Sequence, residues 1–302
     1  LYHSPGYHWS VVTVTALIDN ERCSRPEGLV AEHGLSLHVT TSRTSVLFDT
    51  GASNAFLSNA SLLGVDIGSV ETAVLSHHHY DHGGGLAAFV RENRAVPIWL
   101  RPLTHDQCVS TRPGHPPKPI DIDRDLITTH PRRFRFLDSS TEVAPGVTLL
   151  PEILDRYPKP SSNGRLHLAG PDGLRPDTFD HELLMVVEDE GCLVVFTGCA
   201  HNGILNMVAT VLHHYPGRTI TALFGGFHLS GIPTDHHHPE GRAEVVSVAE
   251  TIAAFPIEQI YASHCTGSCA FTILKERLGD RIDPFPVGSV WNHRPADTTG
   301  VS

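Results

Sequence analysis

The sequence predicts an α/β protein built as a four-layer αββα sandwich. Three observations carry that expectation: short β-rich runs recur through the first hundred residues, a second group of apolar runs follows residue 180, and helical spacing appears between members of the second group. The first group comprises residues 11–17, 35–39, 44–48, 72–75 and 96–100, separated by Gly, Asn and Asp turns. The second comprises 183–187, 193–196, 220–224 and 257–262. Between these strands Ile204, Met207, Val208, Val211 and Leu212 keep helical spacing, as do Val245, Val248, Ala249, Ile252 and Phe255, so each helix lays one apolar face on a sheet. Residues 101–180 hold 12 of the 22 prolines, and a residue without an amide donor is excluded from a central strand. That stretch is expected to be an insertion of loops and short edge elements, packed over the mouth of the site, within one domain spanning residues 1–302.

Composition narrows the function. Lys plus Arg number 22 against 33 Asp plus Glu, a net charge of −11. This balance disfavours a nonspecific grip on nucleic-acid phosphates or anionic membranes, which leaves a small molecule as the expected partner and the oligomeric state open. No run approaches the ~18 apolar residues of a membrane span, and the opening LYHSPGYHWS lacks the basic-then-apolar pattern of a secretion signal. Six cysteines in 302 residues are too sparse for a disulfide scaffold, favouring a reducing, cytoplasmic location. The 22 histidines equal the whole of Lys plus Arg, more than folding requires, so some are expected to be ligands or acid/base groups.

The strongest local signal is Ser76-His77-His78-His79-Tyr80-Asp81-His82-Gly83-Gly84-Gly85, directly after the apolar run TAVL. In an extended segment His77, His79 and Asp81 share one face, and a turn at Asp81 and His82 brings the last imidazole back toward them. Three imidazoles and a carboxylate suit zinc, and they exceed what one tetrahedral ion with an open position uses, which points to two metals. Leu86, Phe89 and Val90 then begin a helix. The run Asp235-His236-His237-His238 differs: it lies in a Pro/Gly-flanked loop, and three adjacent side chains there cannot all face one ion.

Histidine spacing H-x-H-x-D-H after a strand, with Leu47-Phe48-Asp49-Thr50-Gly51 some 30 residues earlier, resembles the metallo-β-lactamase superfamily of binuclear metal enzymes. The order LIDN, EHGLS, LFDTG, SHHHYDHGGGL, TGCAH, GGFHL and HCTG is similar to one branch, the dihydropterin ribofuranosylaminobenzene phosphate synthase group, from about Val14 to Gly267. The resemblance implies two divalent metal ions, zinc first, with Mn2+ or Fe2+ as alternatives. His77 and His79 would hold the first, with His201 preferred over His181 as their partner; Asp81, His82 and His264 would hold the second. Where relatives carry a bridging aspartate after F-T-G, this chain has Cys199. Its thiolate is either a ligand or a small buried hydrophobe beside the site. Asp49, Asp81 and His228 are the candidates for catalytic roles, Asp49 by orienting ligands or water and His228 by binding substrate or moving a proton.

Two adjacent metals would depress the pKa of a shared water and polarise the bond it attacks. The sequence therefore points to a metal-dependent hydrolase of a small phosphorylated or cyclic ester-like substrate, using metal-bound hydroxide. The alternatives are a pterin-type synthase with metal-assisted pyrophosphate displacement and a non-catalytic ligand sensor. An iron reductase on the same fold is set lower because no flavodoxin-like domain is appended. Asp19, Asn20 and His33 read as a hydrogen-bonded turn, and Arg132 to Arg135 as a solvated basic face.

Overall fold

The strand Val12–Ile18 buries nearly every side chain, a pattern that arises only when a sheet is covered on both faces. The computed structural model describes residues 12–293; the amino-terminal segment read above, with Val11, lies outside them. Among the described residues this strand belongs to a seven-stranded sheet ordered Val290–His293, Val12–Ile18, Ser36–Thr40, Ser45–Phe48, Thr72–Val74, Ile98–Leu100 and Phe134–Phe136. A second seven-stranded sheet runs Ile282–Asp283, Ile257–Ala262, Ile220–Gly225, Cys192–Phe196, Leu184–Asp189, Val147–Leu150 and Thr141–Ala144. The two pack face to face through Val14, Val39 and Phe48 on one side and Met185, Val194, Phe196 and Phe224 on the other. Phe48 meets Phe196 with ring centroids 6.0 Å apart. Full burial of such a side chain is worth roughly 1.5–3 kcal/mol.

Helices Ile204–His214, Pro239–Ala253 and Ser268–Leu278 cover the outer face of the second sheet. Ala55–Leu62 and Leu86–Glu92 cover the first. This is the expected four-layer αββα sandwich. Its functional consequence lies in strand direction. Ser45–Phe48, Thr72–Val74 and Ile98–Leu100 are mutually parallel, as are Cys192–Phe196, Ile220–Gly225 and Ile257–Ala262. Their carboxyl ends therefore emerge together along one edge, where loops of parallel sheets gather side chains for chemistry.

Residues 101–180 are more regular than their prolines suggest. They lend Phe134–Phe136 to the first sheet's edge and Thr141–Ala144 with Val147–Leu150 to the second's. They also build a four-stranded sheet ordered Gly173–Pro176, Leu166–Gly170, Gln107–Ser110 and Lys118–Pro119. Prolines 119 and 176 sit in its outermost strands, where an absent amide donor breaks no ladder. The basic run is also not a fully solvated face. Arg133 is buried, its Nε donating to the Val96 carbonyl at 2.8 Å and its guanidinium lying 5.9 Å from the Phe89 ring centre. Pairing of Phe134–Phe136 beside Ile98–Leu100 carries that side chain inward.

Candidate metal centre

Thr72–Val74 ends in Leu75 and Ser76, the chain bends at His77 and His78, and His79 is extended before a single helical turn, Tyr80–Gly83. The expected extended segment is thus replaced by a bend that still brings His77 and His79 together, while the helical turn rather than a straight strand presents Asp81 and His82. His78 points the other way, with Nε2 3.1 Å from the Arg101 carbonyl. Gly84 closes the turn, since a Cβ there would overlap the Ala52 carbonyl oxygen. The remaining residues arrive from the second sheet: Cys199 and His201 after Cys192–Phe196, His228 after Ile220–Gly225, and His264 after Ile257–Ala262. Gly198 permits the meeting, because a Cβ there would strike Ser76 Oγ.

Four imidazoles are oriented by an acceptor on their outer nitrogen. Asp49, fully buried, accepts from the Ser76 amide at 2.7 Å, from Ser76 Oγ at 2.7 Å and from His82 Nδ1 at 2.6 Å. With its hydrogen given to Asp49, the Ser76 hydroxyl accepts from His77 Nδ1 at 2.9 Å. Asn20 Oδ1 receives His264 Nδ1 at 2.9 Å, and Asn163 Oδ1 receives His201 Nδ1 at 3.1 Å. For His77, His82 and His201 these bonds assign the ring proton outward and leave the Nε2 lone pair directed inward, whereas His264 Nε2 faces the Asp81 carboxylate, and there the pull of burial is outweighed by Cys265, Asp81 and Asp19, which lift the imidazole to about 9.

Inward-facing atoms crowd together. His77 Nε2 and His79 Nδ1 are 3.1 Å apart, and His82 Nε2 lies 3.2 Å from His264 Nε2 and 3.2 Å from Cys199 Sγ. Asp81 Oδ2 is 3.4 Å from His264 Nε2 and 3.2 Å from His33 Nε2. His201 Nε2 is buried without a hydrogen-bond partner. Ligand-capable atoms of Asp81, His82, Cys199 and His264 lie within 4.8 Å of one another, as do those of His77, Cys199 and His201. Cys199 is common to both groups. Lone pairs opposed at such distances repel unless a cation lies among them, so the donor set fits divalent metal.

Electrostatics agree for the group around His77. Burial, then the neighbouring imidazoles, push His77 and His201 well below the ordinary histidine pKa, and His79 to about 3. These rings are neutral at physiological pH, the protonation state a metal requires. Burial opposes ionisation of Asp81, but its hydrogen bonds to His264 and His33 overcome that and hold its carboxyl well below the usual range. Burial drives the Cys199 thiol upward, with Cys265 adding to the effect.

His181 does not present a lone pair here. Its Nδ1 accepts the His78 amide at 3.2 Å and its Nε2 bonds Asp177 at 3.1 Å. His228 lies beside His201, ring centroids 4.1 Å apart, with its Nδ1 buried and unpartnered. Among the described residues, positive φ outside glycine occurs at Asp49, Phe179, Glu190, Ala200, His228 and His264. All but Glu190 belong to the site or touch it, Phe179 stacking on His201 at 4.5 Å. Left-handed backbone costs about 1–3 kcal/mol per residue and persists where the surroundings over-determine it.

Sequence reasoning passes over Glu182. Its buried carboxylate accepts the amides of His201 and Asn202, each at 2.8 Å, and so fixes the loop that carries Cys199 and His201. The available signal is an acid at the head of the otherwise apolar ELLMVV. Asp19 accepts the His264 amide at 2.7 Å, so the turn at residues 19 and 20 also positions a site histidine. The loop 235–238 is a separate feature, with His238 Nδ1 3.0 Å from Asp235 at the surface.

Fold, strand-end histidines and the two donor groups define a protein of the αββα metal-binding class, and a family model described as the metallo-beta-lactamase superfamily matches residues 31–264. The chain belongs to that superfamily. It is 26% identical, over 86% of its length and 90% of the relative's, to 7,8-dihydropterin-6-methyl-4-(beta-D-ribofuranosyl)-aminobenzene-5'-phosphate synthase of Methanocaldococcus jannaschii. Among solved structures it is similar to Tm1679, described as a metal-dependent hydrolase of the beta-lactamase superfamily, at 27% identity and TM-score 0.75, covering 94% of this chain and 99% of that one. YhfI from Bacillus subtilis shares the fold at 14% identity and TM-score 0.54, with 94% and 100% covered. No helix among the described residues is long and apolar enough to cross a membrane.

Proposed function

We propose that the protein is a binuclear metal-dependent hydrolase of a small phosphorylated or cyclic ester-like substrate, acting in the cytoplasm as one domain. The observation that carries this reading is the convergence of two donor groups on Cys199 at the floor of a cavity of about 500 Å³. In it His77, His79 and His201 would hold one ion and Asp81, His82 and His264 the other, with Cys199 within reach of both groups. Zinc suits these nitrogen, sulfur and carboxylate donors. Bound there, the ions supply an activated water and polarise the bond to be broken.

The chain's own residues divide the remaining work. Asp49 is a positioning residue: sealed behind the histidines, it fixes His82 directly and His77 through Ser76. His228 lines the cavity beside His201 and donates a proton to the departing group. Asn20, Asn163 and Glu182 hold the ligands in register. Similarity to Tm1679 supports hydrolysis. The archaeal relative's name supports a second reading, a synthase in which an organic nucleophile takes the place of water.

The deciding experiment is elemental analysis of protein purified without a histidine tag, followed by phosphodiester, lactone and pterin pyrophosphate assays. About two zinc ions per chain, with ester hydrolysis lost on chelation and restored by zinc, is the expected result. Full metal content with turnover only of the pterin pyrophosphate, and only when an amine nucleophile is supplied, would replace the hydrolase by the synthase.

A further inference from the structure

The cavity over the candidate centre has two chemically different ends. Its floor carries buried Asp81, His201 and half-buried His228, whereas its rim carries exposed Arg112, His115 and Lys118. The rim residues come from the Pro-rich insertion, Arg112 and His115 from the connection between Gln107–Ser110 and Lys118–Pro119, and Lys118 from the start of the latter strand. We propose that this rim is a binding site for a phosphate monoester on the substrate, distant from the bond that is cleaved. The inference rests on the reading of the site as a small-molecule hydrolase and names what that molecule must carry.

Backbone bonds place the rim relative to the floor. The Tyr80 amide donates to the Ile120 carbonyl at 2.8 Å, and the Ile122 amide donates to the His78 carbonyl at 3.2 Å. The insertion is thereby zipped to the histidine motif two residues from Lys118. The Lys118 ammonium lies 5.6 Å from the centre of the Tyr80 ring, which holds it against the cavity wall. Prolines 113, 116 and 117 restrict the loop bearing Arg112 and His115, lowering the entropy lost when a ligand is gripped.

Charge selects the ligand. The acids closest along this segment are already engaged, Asp121 by Arg124 at 2.6 Å and Asp106 by Arg175 at 2.9 Å. Among the described residues neither Arg112 nor Lys118 has a carboxylate within ion-pair distance. In a chain of net charge −11, two uncompensated cations at the mouth of one cavity draw an anion to that place. Two cationic side chains, one of them a planar guanidinium, match the near-dianion of a phosphate monoester better than the single charge of a carboxylate.

The test uses the full zinc-loaded chain and a matched set of p-nitrophenyl phosphodiesters whose alcohol arm ends in a phosphate monoester, a carboxylate or a hydroxyl. The parent protein should favour the phosphate-ended ester over the hydroxyl-ended one by at least tenfold in kcat/KM, and the Arg112→Gln/Lys118→Gln protein should lose most of that ratio. An unchanged ratio in the double variant, no preference in the parent, or equal preference for the carboxylate would overturn the assignment. Calorimetric titration with phenyl phosphate and benzoate measures anion binding independently of turnover. Phenyl phosphate should bind the parent more tightly than benzoate and weaken about tenfold in the double variant, and equal binding to both proteins would overturn the proposal. If no ester is cleaved but phenyl phosphate binding depends on Arg112 and Lys118, the hydrolase reading fails and the anion site stands. The single variants Lys118→Gln and Arg112→Gln, each expected to lose part of the ratio, guard against a misfolded double.

Discussion

The two halves of the metal centre are built by different means. In the first, His77, His79, Asp81 and His82 come from six consecutive residues at one strand end, and the local backbone does most of the placing. In the second, Cys199, His201, His228 and His264 come from three loops, and Ala200, His228 and His264 hold left-handed φ. The first half is cheap in conformational terms. The second needs the buried acids Glu182 and Asp19 and the half-buried amide of Asn163 to hold its backbone against strain.

That contrast can be broken most forcefully at a ligand of the first half. His79→Ala should lower metal stoichiometry and reduce hydrolytic activity by ~100-fold or more; elemental analysis and turnover on one sample check both, and full retention of both would sink the binuclear reading. Glu182→Ala strips the acceptor from two buried amides and should cost about 3–5 kcal/mol of stability. Urea denaturation measures it, and a loss below about 1 kcal/mol would mean that the second half does not depend on its buried acid.

Cys199 sharpens the comparison because its sulfur joins the halves. Burial alone favours the neutral thiol, so a thiolate there requires bound metal. Cobalt-substituted protein should show a sulfur-to-metal charge-transfer band that vanishes in Cys199→Ser, with metal affinity reduced by about tenfold or more. No such band in the parent would make Cys199 a packed neighbour.

The smallest effect concerns a histidine outside the site. Burial lowers His38, in the strand Ser36–Thr40, to about 4. Its unfolded form binds a proton below about 6.5 while the folded form stays neutral. The stability contribution is therefore complete above that pH and is lost as pH falls toward 4, on the order of 2 kcal/mol at the acid end. His38→Gln should flatten the stability profile over that window; an unchanged acid slope would rule His38 out as its source.

Legibility follows sequence distance. Eight strands read from periodicity in residues 35–100 and 183–262 recur within a few residues of their observed bounds, because alternation and helical spacing are local properties. The helices Ala55–Leu62 and Ser268–Leu278 escape that reading, having weak apolar patterning. The regular strands within 101–180 are obscured by prolines that occupy edges and turns. Arg133 reads as solvated because nothing in its neighbours reveals that an edge strand turns it inward.

By itself the sequence determined the four-layer class, the carboxyl-end location of the chemistry and a contiguous set of donors in residues 77–82, since each follows from short-range order along the chain. Only the tertiary structure decided that His201 rather than His181 presents a lone pair, that Glu182 and Asp19 hold the second half, and that Arg112 and Lys118 face the same cavity. Those outcomes rest on contacts such as His82 with Cys199, 117 residues apart, and Asp19 with His264, 245 apart. No local pattern encodes a partner that becomes a neighbour only when two sheets close on a common core.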